Sequence, residues 1–486
     1  MKKIIVAVLA LLAVLVLAPW GIGNLAESRV NAGLDKLTET APYITIVERK
    51  WTRGWFRSEQ EVTFELFGAM LKGVVPEAKV EKTADTGSVE APSPPAALTH
   101  PLRFTVRNEI LHGPVLWPAS LGIARVNTRF VMSDEIRKAI VEVFGTDEPV
   151  RVSTRVGFFG GATTRFYGDG RTIKIKDEPG SLSYDAFKLD IGYSKNFDDV
   201  DIDGSWPRFE GGDAGKGEKF LVKGVSVTGH SKRVHGDLYD GKTTFAIDEL
   251  QVTGADKDDI SVKDLRYRVT THTQDDFMEM SLQLGSGKVR NQALDQMQFN
   301  LDEFHYDFSL RRLHAPTIEK LMEDLKKVYN QPIVDASTVQ ATILAPFKQH
   351  GAELLKYDPE FVIDRIGIVT PEGEGNIKGV VRLKGVTVED FAVGSMALIG
   401  KLDADIHVDV AQKLLEKVPS GATGAGAAID MGYARRDGDK LVSHIEFRKG
   451  GLKINDKDQA LPGLGAPPAG SGGMPPPGDV PARPQE

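Results

Sequence analysis

The stretch GDLYDGKT, Gly236 to Thr243, fits G-x-x-x-x-G-K-T, the spacing with which a P-loop wraps nucleotide phosphates in backbone N–H groups and sets a lysine against them. A second stretch, DVDIDGSWPRFE, aligns Asp199, Asp201, Asp203, Gly204 and Glu210 as D-x-D-x-D-G-x5-E, the order in which oxygen ligands wrap calcium about a glycine bend. His112, just before Gly113-Pro114, could act as acid, base or ligand. No H-E-x-x-H, histidine i,i+4 pair or G-x-S-x-G elbow occurs. The chain has no cysteine, so thiolate catalysis, disulfides and Cys-based zinc sites are excluded.

The flanks decide how each stretch is read. A working P-loop leads into a helix whose N-terminal amides face the phosphates, whereas Thr243 leads into TFAIDELQVTG, where Phe245, Ile247, Leu250 and Val252 keep a period of two on each side of a one-residue slip. This is a strand with a bulge, and Tyr239-Asp240-Gly241 reads as the hairpin turn before it. Asp237 and Asp240 would also put negative charge into the phosphate cradle. In the acidic stretch, the aspartates alternate with Val200 and Ile202 as on the wet face of a strand, neither flank reads as a helix, and Pro207 occupies a ligand position. A solvated strand and turn is the favoured reading, with a helix-free calcium loop as the alternative. His112 is read as a turn histidine bonded to backbone. No catalytic, cofactor-binding or metal-binding residue is therefore assigned, no cofactor is expected, and an enzyme is the less favoured class.

The elements that must position these residues begin with MKKIIVAVLALLAVLVLAPWGIG. Lys2 and Lys3 precede an apolar run that, as a helix from Ile4 to Ile22, rises ~28 Å, about the hydrocarbon thickness of a bilayer. A cleaved signal peptide ending at Val16-Leu17-Ala18 is the rival, disfavoured by Pro19 after the scissile bond. The expectation is an uncleaved anchor over 1–23, single-pass in a bacterial inner membrane, with the bulk of the chain in the periplasm. An ATP-free compartment weakens the nucleotide reading further. A net charge of −8 and no long Lys/Arg run leave nothing to neutralise a nucleic-acid backbone.

The middle of the chain repeats the slip: FLVKGVSVTG from Phe220, FAIDELQVTG from Phe245, ISVKDLRYRV from Ile260 and FVIDRIGIVT from Phe361 are each apolar-x-apolar, two spacers, apolar-x-apolar. With further alternating segments such as EVTFELFG, LRFTVRNEI and FMEMSLQLG, they predict a large, curved antiparallel sheet with one apolar and one wet face. Helices are predicted over Leu25–Leu37, Ser133–Phe144, Ile318–Val328, Ser337–Tyr357 (kinked at Pro346), Val388–Gly400 and Val408–Val418. The fold class is α+β and β-dominated: an N-terminal transmembrane helix, a β-rich region over 24–310 with a loop insertion at 83–101, a mixed helix and strand region over 311–460, and a disordered Pro/Gly-rich tail over 461–486.

Arg53, Gly54, Phe56 and Ser58 in RKWTRGWFRSEQEVTFEL, Asn108-Glu109 and His112-Gly113-Pro114 in RNEILHGPVLWP, and GYARRDGDKLVSHIEFRKGGLKIND near the end are similar to the YdgA-like family of bacterial envelope proteins. Asn455-Asp456 stands where family members often have Asn-Gly in the final hairpin. The resemblance implies an anchored, periplasm-facing protein of undefined activity and supplies no catalytic residue.

The functional expectation is a non-catalytic binding or envelope-organising β-scaffold, holding lipid or a partner's strand in an apolar groove. The alternatives are an envelope hydrolase using carboxylates or His112, or a calcium-binding envelope protein. The expected partners are the membrane through the N-terminal helix, lipid or envelope proteins, and a second copy through edge strands, with neither nucleic acid nor nucleotide.

Overall fold

The computed structural model describes residues 22–39, 41–68, 101–116, 120–174, 180–213, 215–254, 257–330, 339–387, 389–390 and 395–459. Of the anchor expected over 1–23, residues 1–21 lie outside them, as do the tail over 461–486 and all of the 83–101 insertion but Pro101. No helix among the described residues is long and apolar enough to cross a membrane.

The alternating segments pair into one antiparallel sheet of 23 strands. Its spine follows chain order: Ile44–Arg53 pairs with Arg57–Leu66, which pairs with Leu102–His112, and so on to Gly451–Ile454 and Lys457–Gln459. Many of these strands are joined by short turns, so little loop-closure entropy opposes their pairing, whereas Arg57–Leu66 and Leu102–His112, and Glu303–His314 and Glu360–Thr370, pair across long connections. The first and last strands each pair with a single neighbour, and no ladder joins them among the described residues. The central strands are long, from Asp199–Asp213 through Glu218–His235 and Leu238–Gly254 to Lys257–Gln274.

The repeated slip has a shared structural basis. Pro207, Gly224, Asp248 and Asp264 stand at corresponding places in neighbouring strands, between ladder positions that stay in register on both sides. Gly224 (φ 64°) and Asp264 (φ 53°) are left-handed there, a conformation open to glycine and tolerated by aspartate. The odd residue reverses the two-residue phase, so apolar side chains that would otherwise change faces stay on one face. Ring contacts confirm this: Trp206 lies 5.1 Å from Phe209 across the crease, and Phe209 lies 5.1 Å from Phe220 on its far side. At Asp364 the same slip is a true bulge, with register shifts against both neighbouring strands.

Helix 22–39 packs on the N-terminal end of the sheet. Ile22 and Gly23, read above as the end of the anchor, form its first turn. Ala26 is fully buried against Ile110, Ile123 and Val126, and Ile22 and Val30 pack on the same cluster. Leu34 and Leu37 cover Val62, Phe64 and Val106. Leu25, expected on this stripe, is exposed, because the spacing 22, 26, 30, 34, 37 turns it outward.

The helices Asp134–Phe144, Ala315–Tyr329 and Val339–Leu355 match expectation, Pro346 lying inside the last. Of Val388–Gly400, all the described residues, 389–390 and Ser395–Gly400, are helical. The helix expected over Val408–Val418 is corrected: Leu402–Ala411 is a strand and only Gln412–Lys417 is helical, because pairing on both sides claims Val408 and Val410 for the sheet. Gly421–Asp430 is a helix that its Gly/Ala-rich sequence does not announce.

Candidate functional site

The sequence-predicted sites fall into separate parts of the sheet. In GDLYDGKT the chain reverses at Gly236-Asp237, since His235 pairs with Leu238. The turn expected at Tyr239-Asp240-Gly241 therefore lies earlier, and those three residues are in the strand. Gly236 has φ 48°, and a Cβ there would meet the Glu319 carboxylate of helix Ala315–Tyr329. Asp237 is bonded to Lys326 of that helix and accepts from Arg233 at 2.8 Å. The Lys326 ammonium first, then Arg233, holds the Asp237 carboxyl below the usual carboxylate range. The stretch is a hairpin that docks a helix.

Asp199, Asp201, Asp203 and Glu210 lie along one extended strand, Asp199–Asp213. At ~3.4 Å per residue, Asp203 and Glu210 are roughly 24 Å apart, so they cannot converge on one ion. Three of the four are used locally: Asp201 bonds His230 at 2.7 Å, Asp203 accepts from Lys188 at 3.3 Å, and Glu210 accepts from Arg208 at 2.6 Å.

His112 meets Ser58, which the sequence did not pair with it. The antiparallel register Ser58↔Ile110 brings the strands side by side, and Ser58 Oγ lies 3.0 Å from His112 Nε2 while Nδ1 lies 3.1 Å from the Trp55 carbonyl. A hydroxyl, an imidazole and an acceptor orienting the imidazole are the parts of a nucleophilic site. Access decides against that use: Ser58 is 1% exposed and His112 5% exposed. Helix 22–39 lies over them, with Gly23 so close that a Cβ there would be 2.8 Å from His112 Cε1. The polar row continues beneath the helix, where Asn108 donates to Gln60 at 3.0 Å, Gln60 to Asn31 at 3.0 Å, and Thr128 to Asn108 at 2.7 Å. These groups satisfy one another in a buried seam and fix the helix on the sheet. Gly113-Pro114, read as a turn, is a cis peptide bond.

The remaining feature is the apolar face. Register aligns Val227, Phe245, Tyr267, Leu284, Tyr306 and Ile366 in one row across successive strands, and the row continues through Ile377 and Val408. Across the crease a second row runs Leu182, Gly211, Phe220, Val252, Ile260. The opposite face carries cross-strand ion pairs such as Arg165–Asp190 and Lys223–Glu249; the Arg165 guanidinium holds the Asp190 carboxyl below its ordinary range. The apolar rows are incompletely covered, Tyr267, Tyr306, Val252 and Ile260 being about two-fifths exposed. Among the described residues, the clusters of contiguous buried side chains both lie under helix 22–39.

The second row opens into a cleft of about 730 Å³ between the sheet and helix Asp134–Phe144. Ile173, Leu182, Phe220 and Val252 of the sheet and Val143 of the helix line it, and its charged residues balance, Lys174, Lys216 and Lys219 standing with Glu142, Asp213 and Glu218. The helix starts properly, with Ser133 Oγ accepting from the Ile136 N–H and Gly145 left-handed at its end, yet it buries no residue, and Ile136, Val141 and Val143 are exposed. An amphipathic helix ordinarily hides its apolar stripe; this one leaves it beside an apolar cleft.

The sequence pattern of DUF945, described as "Bacterial protein of unknown function", matches residues 1–462. The chain belongs to this family. No curated protein and no solved structure matches it. Within this DUF945 protein, Ser58 and His112 lie in the buried seam, and the segment around 432–456 forms the last strands of the spine. The final hairpin of the DUF945 chain turns at Asn455 (φ 48°) and Asp456 (φ 65°), so the type I′ turn served by Asn-Gly is kept with aspartate in the glycine place.

Proposed function

We propose that this protein is a non-catalytic scaffold anchored in the bacterial inner membrane by residues 1–21, with its sheet in the periplasm holding lipid acyl chains on the apolar face. The observation that carries the reading is the pair of half-exposed apolar rows, the second of which lines the cleft at Phe220 and Val252. Exposed contiguous apolar surface on this scale is unfavourable in water at ~25 cal/mol per Å². An acyl chain suits such a strip because it has no donor or acceptor left unpaired on a surface of side chains. The N-terminal apolar run supports a position beside a bilayer from which lipid could be drawn.

The test is lipid mass spectrometry on residues 22–460, exported to the periplasm and purified without detergent. Stoichiometric phospholipid is expected, and Phe220→Glu with Val252→Glu should remove most of it at unchanged circular dichroism. Folded protein carrying only trace lipid would overturn the proposal.

A further inference from the structure

On the polar face, two imidazoles and a carboxylate converge. Asp405 and His407 alternate along strand Leu402–Ala411 and so share a face, and His407 stands opposite His444 of strand Lys440–Arg448. The two rings stack with centroids 4.2 Å apart and an interplanar angle of 18°. Both aim a nitrogen at the same oxygen: His407 Nδ1 lies 3.3 Å and His444 Nε2 3.1 Å from Asp405 Oδ1. The three candidate ligand atoms all lie within 4.8 Å of one another.

We propose that Asp405, His407 and His444 bind a first-row divalent transition ion, with Zn2+ the best match. Zinc–nitrogen and zinc–oxygen bonds of ~2.0–2.2 Å in a tetrahedron set ligand atoms about 3.3–3.6 Å apart, close to the two nitrogen–oxygen distances here. The ion would sit between atoms already gathered, exchanging two hydrogen bonds for coordinate bonds with small side-chain adjustments. Two imidazoles with one carboxylate favour zinc and its neighbours over calcium or magnesium, which take oxygen ligands.

The surroundings hold two of the three ligands, Asp405 and His444, in place. The other Asp405 oxygen, Oδ2, accepts from Arg448 Nη2 at 3.3 Å, and the same guanidinium donates to Glu446 at 2.9 Å. The backbone of His444 is clamped by Asn455: its N–H donates to Asn455 Oδ1 at 3.0 Å, and its carbonyl accepts from the Asn455 N–H at 2.8 Å. The left-handed turn at Asn455-Asp456 thus also serves to fix His444. Glu446 and Asp456 each have an oxygen near a His444 nitrogen. His407 is largely exposed at 64%, so an ion can enter and a fourth position is left for water.

The full chain, without a histidine tag and stripped with EDTA, should take up one Zn2+ in calorimetric titration, and one Co2+ with the absorption of a tetrahedral site. Affinity should fall at least tenfold in His407→Ala and in Asp405→Asn, and should be unchanged in His230→Ala, whose imidazole lies elsewhere on the polar face. Because His407 is exposed, its replacement leaves the core intact; His407→Gln provides a second variant. Absence of a stoichiometric ion in the wild type, or equal affinity in the wild type, His407→Ala and Asp405→Asn, overturns the proposal.

Discussion

At the scale of single residues, Ser58 and His112 show how burial overrides chemistry. Their hydrogen bond has the geometry of a nucleophile and its base, but both side chains are sealed beneath helix 22–39. Removing either leaves a buried polar partner unsatisfied, at roughly 1–3 kcal/mol. Ser58→Ala and His112→Ala should each lower the free energy of unfolding by that order in urea titration, and a fluorophosphonate probe should not label Ser58 in the folded wild type. Labelling of native protein would restore the hydrolase reading. Neither residue's role was legible alone. The sequence offers Ser58 and His112 as separate features, and the register that pairs Ser58 with Ile110 is a property of the sheet.

At the scale of elements, the hairpin at Gly236-Asp237 and the helix Ala315–Tyr329 are tied by Asp237 with Lys326. The folded state holds the Asp237 carboxyl below its ordinary value, so it favours the carboxylate. Its contribution is present above the unfolded value, ~3.9, and is lost as pH falls through and below it. Asp237→Asn should therefore be less stable than wild type at neutral pH, with the difference shrinking below about pH 4; urea titrations at a series of pH values measure this. An unchanged difference at low pH would mean that the carboxylate charge is not what ties the two elements. The strand that follows was legible from alternation, and so was its slip at Asp248. The turn was not placed correctly, because Tyr239-Asp240-Gly241 is as good a local turn sequence as Gly236-Asp237 and only pairing with Glu218–His235 chooses between them.

At the scale of the whole molecule, the spine is nearly one-dimensional: most strands pair with a strand close in sequence, and the deepest packing lies at one end under helix 22–39. Stability in such a meander behaves as a sum of neighbour terms. Hydrogen exchange read by mass spectrometry should show graded protection, strongest in Arg57–Leu66 and Leu102–His112 and weakest in Gly451–Gln459. Equal protection along the spine would refute this. The same architecture explains why an apolar face can remain half-exposed: among the described residues, a single layer this long has too few helices to cover it.

Local properties of the chain alone determined that it is β-dominated, that the central strands carry one apolar side and a phase slip, and that helices such as Asp134–Phe144 and Ala315–Tyr329 form. Period, capping and turn chemistry act over a few residues and can be read without a partner. The tertiary structure alone decided which slips align into a crease, that His112 is buried on Ser58, that Asp199, Asp201, Asp203 and Glu210 stay apart, and that Asp405, His407 and His444 meet. Those outcomes depend on strand register, which brings together residues tens of positions apart and is set by the cooperative pairing of the whole sheet.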